Sequence, residues 1–472
     1  MPPTLADLDD APLPAWAAAC DAAAMLALFV AAAVTLGGGF RVWIGDFRLS
    51  ITSPTAIIGI ALLLLISRHA LVRRPDVVTR LRAVAIRVVR SDGFSVVRGP
   101  FLATRVGVAA VGLMAVYTVG YPPGTPPIRA STSEIVNLPL RWDAGWYCHI
   151  ARLGYRWDRQ YANRQHNIAF FPAYPTMIWL GGRLFGGSPA AYVFTGVAIS
   201  HVAFLWSLVL LYQLARLELG NDSMAGASVV LLASYPFSIF HGAVYTESLF
   251  LLGAVGACLS FKREQWIRCA LWGLLVGLSR PNGFLLALTL ATLAYTQRIW
   301  KAHSPDRSRT FVPMMAALAP VAGAVIFSIY IASLTGNPLQ WAAQHAAWGR
   351  TFKGALPIAE AAAFAAEHGV EGYLAALPYN VLNAVPAVCA IALIVPVWLR
   401  LGPAYGVFLL TNLVPPLVVG GVMSMGRLTA TMFPLFLWLG ARTGGPTPNL
   451  TVAFVMLQAL AAVLFYTWRP LY

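Results

Sequence analysis

Charge is what this chain has least of: Asp, Glu, Lys and Arg make up 11% of its 472 residues, against 58% hydrophobic ones. Apolar runs of helix length recur along it, which excludes a soluble globular body and defines an all-α polytopic membrane protein. Cysteine is scarce as well. The five are an odd number, and Cys20, Cys258, Cys269 and Cys389 fall inside apolar spans, so no disulfide framework follows. No metal site is expected, because none of the pairs among His149, His166, His241 and His345 has the local spacing of zinc ligands. Gly-rich phosphate loops, a Walker pattern and a GxSxG elbow are all absent, and no cofactor is expected. Internal repeats and a separate soluble domain are lacking too. The opening MPPTLADLDDAP has no Lys or Arg, whereas a cleaved secretory signal has a basic start, so the first span is expected to be retained.

Acidic residues number 18 against 33 basic ones, a formal charge of +15. The arginines sit mainly at the ends of apolar spans. That is the orientation signal of a membrane protein, and nucleic acid is not an expected partner; membrane lipids are.

Read in order, a first span covers roughly residues 16–36. Phe40, Val42 and Ile44 alternate before Gly45-Asp46, and Phe47, Leu49 and Ile51 alternate after it, which predicts a small β-hairpin at the membrane surface. A second span near 55–66 precedes Arg68, Arg73, Arg74, Arg80, Arg82, Arg87, Arg90 and Arg98, the strongest cytoplasmic marker in the chain. The third span, about 103–120, then leads outward. Ile168 to Phe185 is nearly long enough to cross, but prolines at 172 and 175 break its start. The basic loop with Arg298, Lys301, Arg307 and Arg309 falls inside only if that segment stays interfacial or re-entrant. Ten further spans bring the total to about thirteen crossings. The expected domains are an accessory module at 1–100 and a transmembrane core at 101–472, whose first outer loop is 121–187.

That topology gathers the conspicuous polar residues at the extracytoplasmic face. Asp143 stands in LRWDAGWY, flanked by Arg141, Trp142, Trp146 and Tyr147, side chains that favour the membrane–water interface and would hold a carboxylate near the headgroups. An acid at that depth can meet a lipid-borne donor and a water-soluble acceptor; an interfacial anchor with an incidental Asp is the structural alternative. Glu247 opens one apolar span and Arg280 closes another, and a charge at such depth calls for a partner. Each could pair with the other, or Arg280 could read a phosphate, since its planar fork suits that anion. Asn282 follows in the same SRPNG turn, and Arg427 and His345 lie on the same side. Arg156-Trp157-Asp158 repeats the Arg-Trp-Asp triplet, making Asp158 the rival carboxylate. It lies further from the preceding span. Six arginines of that loop, at 129, 141, 152, 156, 159 and 164, run against the positive-inside trend. They could meet a phosphate or anionic headgroups, or simply form a solvated face.

The order of LRWDAGWYCHIARLGY, FFPAYP, VYTESLFLL, GLSRPNG, GNPLQWAAQHAAWGR and GRLTATMFPLFL resembles bacterial PIG-V-like mannosyltransferases, from about Ala103 to the C-terminus. The resemblance implies a GT-C-type transmembrane fold and a polyprenyl-phosphate-linked sugar donor, with mannose as the sugar. It also implies an acidic residue in the first outer loop, here Asp143. The first hundred residues fall outside it, and Leu428 stands where members often carry Tyr.

The resulting expectation is an integral plasma (inner) membrane glycosyltransferase acting at the extracytoplasmic face with inversion. Asp143 serves as general base, and Arg280, Asn282, Glu247, Arg427, His345, Arg141, Trp146 and Tyr147 bind donor phosphate or substrate. The acceptor is a lipid- or polymer-linked hydroxyl. The alternatives are a transporter or flippase of lipid-linked sugars, and a scaffold for envelope assembly.

Overall fold

Lipid offers backbone groups no hydrogen-bond partner, so a chain this apolar satisfies them within helices. The structure, a computed structural model, describes residues 14–37, 40–44, 47–51, 53–72, 76–79, 92–125, 128–300 and 308–471. Most of the basic run between Arg73 and Arg90, the N-terminal MPPTLADLDDAP segment and Lys301–Arg307 lie outside the described residues. Phe40–Ile44 pairs antiparallel with Phe47–Ile51, Ile44 opposite Phe47, at the place where the alternating pattern predicts a hairpin.

Seven helices among the described residues are long and apolar enough to cross a membrane: Pro54–Leu71, Gly93–Thr118, Pro189–Leu219, Phe311–Thr335, Pro378–Leu401, Pro403–Gly420 and Pro448–Tyr466. An eighth is possible if the pair Asp222–Ser234 and Pro236–Gly242, bent by 76°, is one broken span. The expected thirteen crossings are not reached. Part of the difference lies in short helices: Glu247–Lys262 has 16 residues, Trp266–Gly277 has 12 and Phe433–Thr443 has 11. At 1.5 Å per residue even the first is roughly 24 Å long, short of a hydrocarbon core of about 30 Å. An apolar run reads alike in sequence whether it faces lipid or other helices. Here Glu247–Lys262 is buried along nearly its whole length, as a helix that is apolar all round should be. Its small residues let neighbours come close, and a Cβ at Gly256 would overlap the Trp272 ring.

Ala173–Leu184, inside the segment expected not to cross, has 12 residues and packs on Ala144–Leu153 and Pro189–Leu219. Its length of roughly 18 Å is too short to span. Pro189–Leu219 is the longest helix among the described residues; Ser188 caps its start by accepting from the Ala191 N–H, and Gly220 ends it in the left-handed conformation. The N-terminal helices Ala15–Gly37 and Pro54–Leu71 pack mainly on each other and carry a buried Arg68–Asp21 ion pair at 3.0 Å. They meet the rest through contacts such as Phe29 against Phe185. The helix Asp92–Thr118 runs unbroken through the expected boundary at residue 100, and Val97 already belongs to the main core.

Candidate active site

The turn that presents Asp143 is fixed from behind. Arg141 is fully buried, and its guanidinium donates to the carbonyls of Tyr466 (2.9 Å) and Asn137 (2.6 Å) and to the Tyr121 hydroxyl (2.8 Å). Every arm of that fork is occupied by the scaffold, so the structure turns Arg141 away from the site. Trp142 takes a left-handed backbone (φ 50°), unusual for a bulky residue, with its ring against Trp468 at 5.1 Å. The Asp143 N–H donates to the Tyr245 hydroxyl at 3.1 Å, which in turn donates to the Arg141 carbonyl at 3.2 Å. Asp143 then begins the helix Ala144–Leu153. Its backbone is thus anchored at both sides while its side chain keeps 29% of its surface.

That carboxylate begins a chain of ion pairs. Arg427 Nη1 donates to Asp143 Oδ2 at 2.7 Å, Arg427 Nε lies 3.1 Å from Glu247 Oε1, and Arg280 Nη1 lies 3.4 Å from the same oxygen. Glu247 is 1% exposed and stands in the first turn of its helix, where the dipole favours an acid. Arg427 is carried by the short helix Met425–Thr429, set after Ser424 in a left-handed turn. A Cβ at Gly426 would overlap the Phe237 ring, and the Gly426 N–H donates to Asn383 Oδ1 at 3.0 Å. Burial opposes the charge on Arg427, but Glu247 and Asp143 outweigh it and push its pKa above the ordinary arginine value.

Asp143, Glu247, Arg280 and Arg427, expected to share a face, therefore touch one another. Among the described residues Asp143 Oδ1 accepts no hydrogen bond, and the buried Glu247 Oε2, Arg427 Nε and Arg280 Nη1 have no hydrogen-bond partner, the last two meeting Glu247 by ion pairing alone. Arg350, the last residue of the GNPLQWAAQHAAWGR stretch, joins this cluster. Its Nη2 donates to Ser424 Oγ at 3.1 Å, and burial followed by Arg427 pulls its pKa down to about 10. Three guanidiniums thus surround two carboxylates, leaving one positive charge in excess at a partly dry position. Such an excess suits a phosphate.

The remaining expected residues divide. Trp146 stacks on Phe170 (5.8 Å) and meets Trp348 edge-on (5.7 Å), forming an aromatic wall one helical turn from Asp143. His345 lies beside Trp348, and its buried Nε2 has no hydrogen-bond partner among the described residues. Burial, then Arg350, pushes its pKa down to about 4, so the ring is neutral at ordinary pH. Asn282 donates to Asn412 Oδ1 at 2.8 Å, which ties the SRPNG turn to the helix Pro403–Gly420. Tyr147 is a core residue, packed between Phe170, Tyr174 and Tyr245. Asp158 is exposed and accepts from the Gln160 N–H at 2.9 Å, capping a short turn and joining none of these groups. Among the described residues no three His, Cys, Asp or Glu side chains gather as metal ligands.

Fold and site together define a multi-pass helical membrane protein with a buried chain of charges ending in one accessible carboxylate. Residues 127–336 match the family model described as Mannosyltransferase (PIG-V), a narrower stretch than the motif order covers. Over 175 residues the chain is 30% identical to GPI alpha-1,6-mannosyltransferase 2 of Cricetulus griseus, covering 34% of each chain. Over 207 residues it is 28% identical to the Mus musculus protein of that name, covering 41% of this chain and 38% of that one. The matched stretches thus span little more than a third of these relatives. Among solved structures, the Archaeoglobus fulgidus oligosaccharyltransferase in its apo form aligns with a TM-score of 0.41 at 14% identity, covering 78% of this chain and 55% of that one. The resemblance read from the motifs stands, and the matched segment contains Asp143, Glu247, Arg280 and Asn282.

Proposed function

We propose that this protein is a GT-C-type membrane mannosyltransferase that moves the sugar from a polyprenyl-phosphate donor to an acceptor hydroxyl, with inversion, at the extracytoplasmic face. The observation that carries the reading is the chain Asp143–Arg427–Glu247–Arg280, open at the Asp143 end. The acceptor hydroxyl gives its proton to Asp143 Oδ1 as its oxygen attacks the anomeric carbon. The bond from that carbon to the phosphate oxygen breaks, and the lipid phosphate leaves as an anion. Arg280, Arg427 and Arg350 hold the charge that develops there, in a site where preorganised donors act strongly. A phosphate leaves without an acid's help, which fits a site with one accessible carboxylate. Glu247 positions two of the three guanidiniums, and the aromatic wall of Trp146, Phe170 and Trp348 offers ring faces to a sugar or isoprenoid. The outward assignment rests on the basic run from Arg68 to Arg98.

The test is incubation of the purified full chain with radiolabelled polyprenyl-phosphate-mannose and a membrane lipid extract. Label moving into a new lipid-soluble product supports the reading. Donor that is carried across a reconstituted bilayer unchanged, with no product formed, favours the transporter instead.

A further inference from the structure

A second polar site lies beside this one and contains none of its residues. The outer loop folds into a groove of about 590 Å³ whose lining includes Arg156, Trp157, Asp158, Tyr161, Arg164 and Leu334. The groove is built on fixed backbone. Asn167 Oδ1 accepts from the Arg156 N–H at 2.9 Å, Asp158 is spent on the Gln160 N–H, and the His166 ring packs on Trp157 at 4.8 Å. The Arg164 guanidinium sits 4.6 Å above the Tyr161 ring. Neither Arg156 nor Arg164 forms an ion pair among the described residues, so the groove, counting the Asp158 carboxylate that also lines it, carries one positive charge in excess.

Its depth follows from its neighbours. Leu334 is the next-to-last residue of Phe311–Thr335, a helix of crossing length, and Tyr155 packs on Phe327 and Tyr330 of that helix at 5.5 and 5.6 Å. The groove therefore opens where a membrane-crossing helix ends, ringed by Trp and Tyr, at the level of lipid headgroups. Cations at that level draw anionic lipids, and arginine forks match phosphate oxygens.

We propose that this groove holds the phosphodiester headgroup of an anionic membrane phospholipid. Arg156 and Arg164 bind the phosphate, the Trp157 and Tyr161 rings flank the headgroup, and Leu334 borders the start of an acyl chain. The site touches the segment that carries His345 and Arg350, because Gln344 donates to the Arg164 carbonyl. The proposal stands apart from the transferase reading, since its test reads binding and not turnover.

Purified full-length protein in neutral detergent is titrated with radiolabelled dioctanoyl-phosphatidylglycerol, dioctanoyl-phosphatidylcholine and glycerol 3-phosphate by equilibrium dialysis. The phosphatidylglycerol is expected to bind at least tenfold more tightly than either of the others, and added salt should weaken it selectively. Arg156→Gln with Arg164→Gln should lower that affinity about tenfold and leave phosphatidylcholine unaffected. Equal binding of the two lipids, or unchanged affinity in the folded double variant, overturns the proposal. Glycerol 3-phosphate binding as tightly as the lipid overturns the lipid assignment in favour of a free phosphate. The wild-type salt series decides the matter if the double variant fails to fold.

Discussion

Replacing Asp143 with Asn changes one property and spares most others. Asn is nearly isosteric and keeps an oxygen for the Arg427 Nη1 donor that Asp143 meets at 2.7 Å. Arg427 also retains Glu247 at 3.1 Å, so the chain of charges stays tethered. The turn itself is held by backbone and by Arg141, neither of which the substitution touches. What is lost is the proton acceptor, together with one negative charge among three guanidiniums. General-base assistance contributes roughly 10²–10⁴-fold, so turnover should fall by about two orders of magnitude or more. The extra net positive charge favours the donor phosphate, so donor affinity should hold or improve, and kcat should fall without a rise in KM. The assay is transfer from radiolabelled polyprenyl-phosphate-mannose, with donor binding measured in parallel and Asp158→Asn as comparison. Because Asn also caps a turn, Asp158→Asn should be close to wild type. Wild-type turnover in Asp143→Asn, or a larger loss in Asp158→Asn, would refute the assignment.

Other outcomes follow from the same geometry. His345 has its pKa pushed down to about 4, below the ordinary value near 6.5, so the unfolded chain takes up its proton first as pH falls. Its contribution to stability is complete above about pH 6.5 and is lost towards pH 4; thermal melts over that range should show wild type losing more than His345→Gln. Gly426→Ala drives a Cβ into the Phe237 ring and should cost about 1–3 kcal/mol of stability, partly restored by Phe237→Leu, as read from melting in detergent. Removal of residues 1–91, which leaves Val97 and its helix in the core, should retain transferase activity; complete loss in a well-folded deletion would give the N-terminal helices a part in the chemistry.

Glu247 and Arg280 were legible because each stands at the end of an apolar run, where a charge is costly without a partner, and Asp143 because interfacial aromatics flank it. Their pairing was not legible. Asp143 and Arg427 are 284 residues apart, and only the packed bundle makes them neighbours. Arg141 shows the limit of local reading, since beside Asp143 in sequence it looks like a ligand, yet its fork is filled by carbonyls behind the turn. Arg350 was not legible as a site residue, because what brings it there is a fold-back onto Ser424. The two Arg-Trp-Asp triplets could not be ranked by composition; in the structure Asp158 caps a short turn, whereas Asp143 is ion-paired to Arg427. Crossing number is hard to read from sequence for a related reason. Hydropathy records that Glu247–Lys262 avoids water, not whether lipid or protein shields it.

The central claim is a single direct displacement assisted by Asp143, and its most direct test is stereochemical. Donor carrying mannose labelled with ¹³C at the anomeric carbon is turned over by the purified protein, and the one-bond carbon–hydrogen coupling of that carbon is measured in donor and product. The account predicts opposite anomeric configurations in the two. Retention of the donor's configuration would contradict it, because a single in-line displacement assisted by a base must invert that carbon.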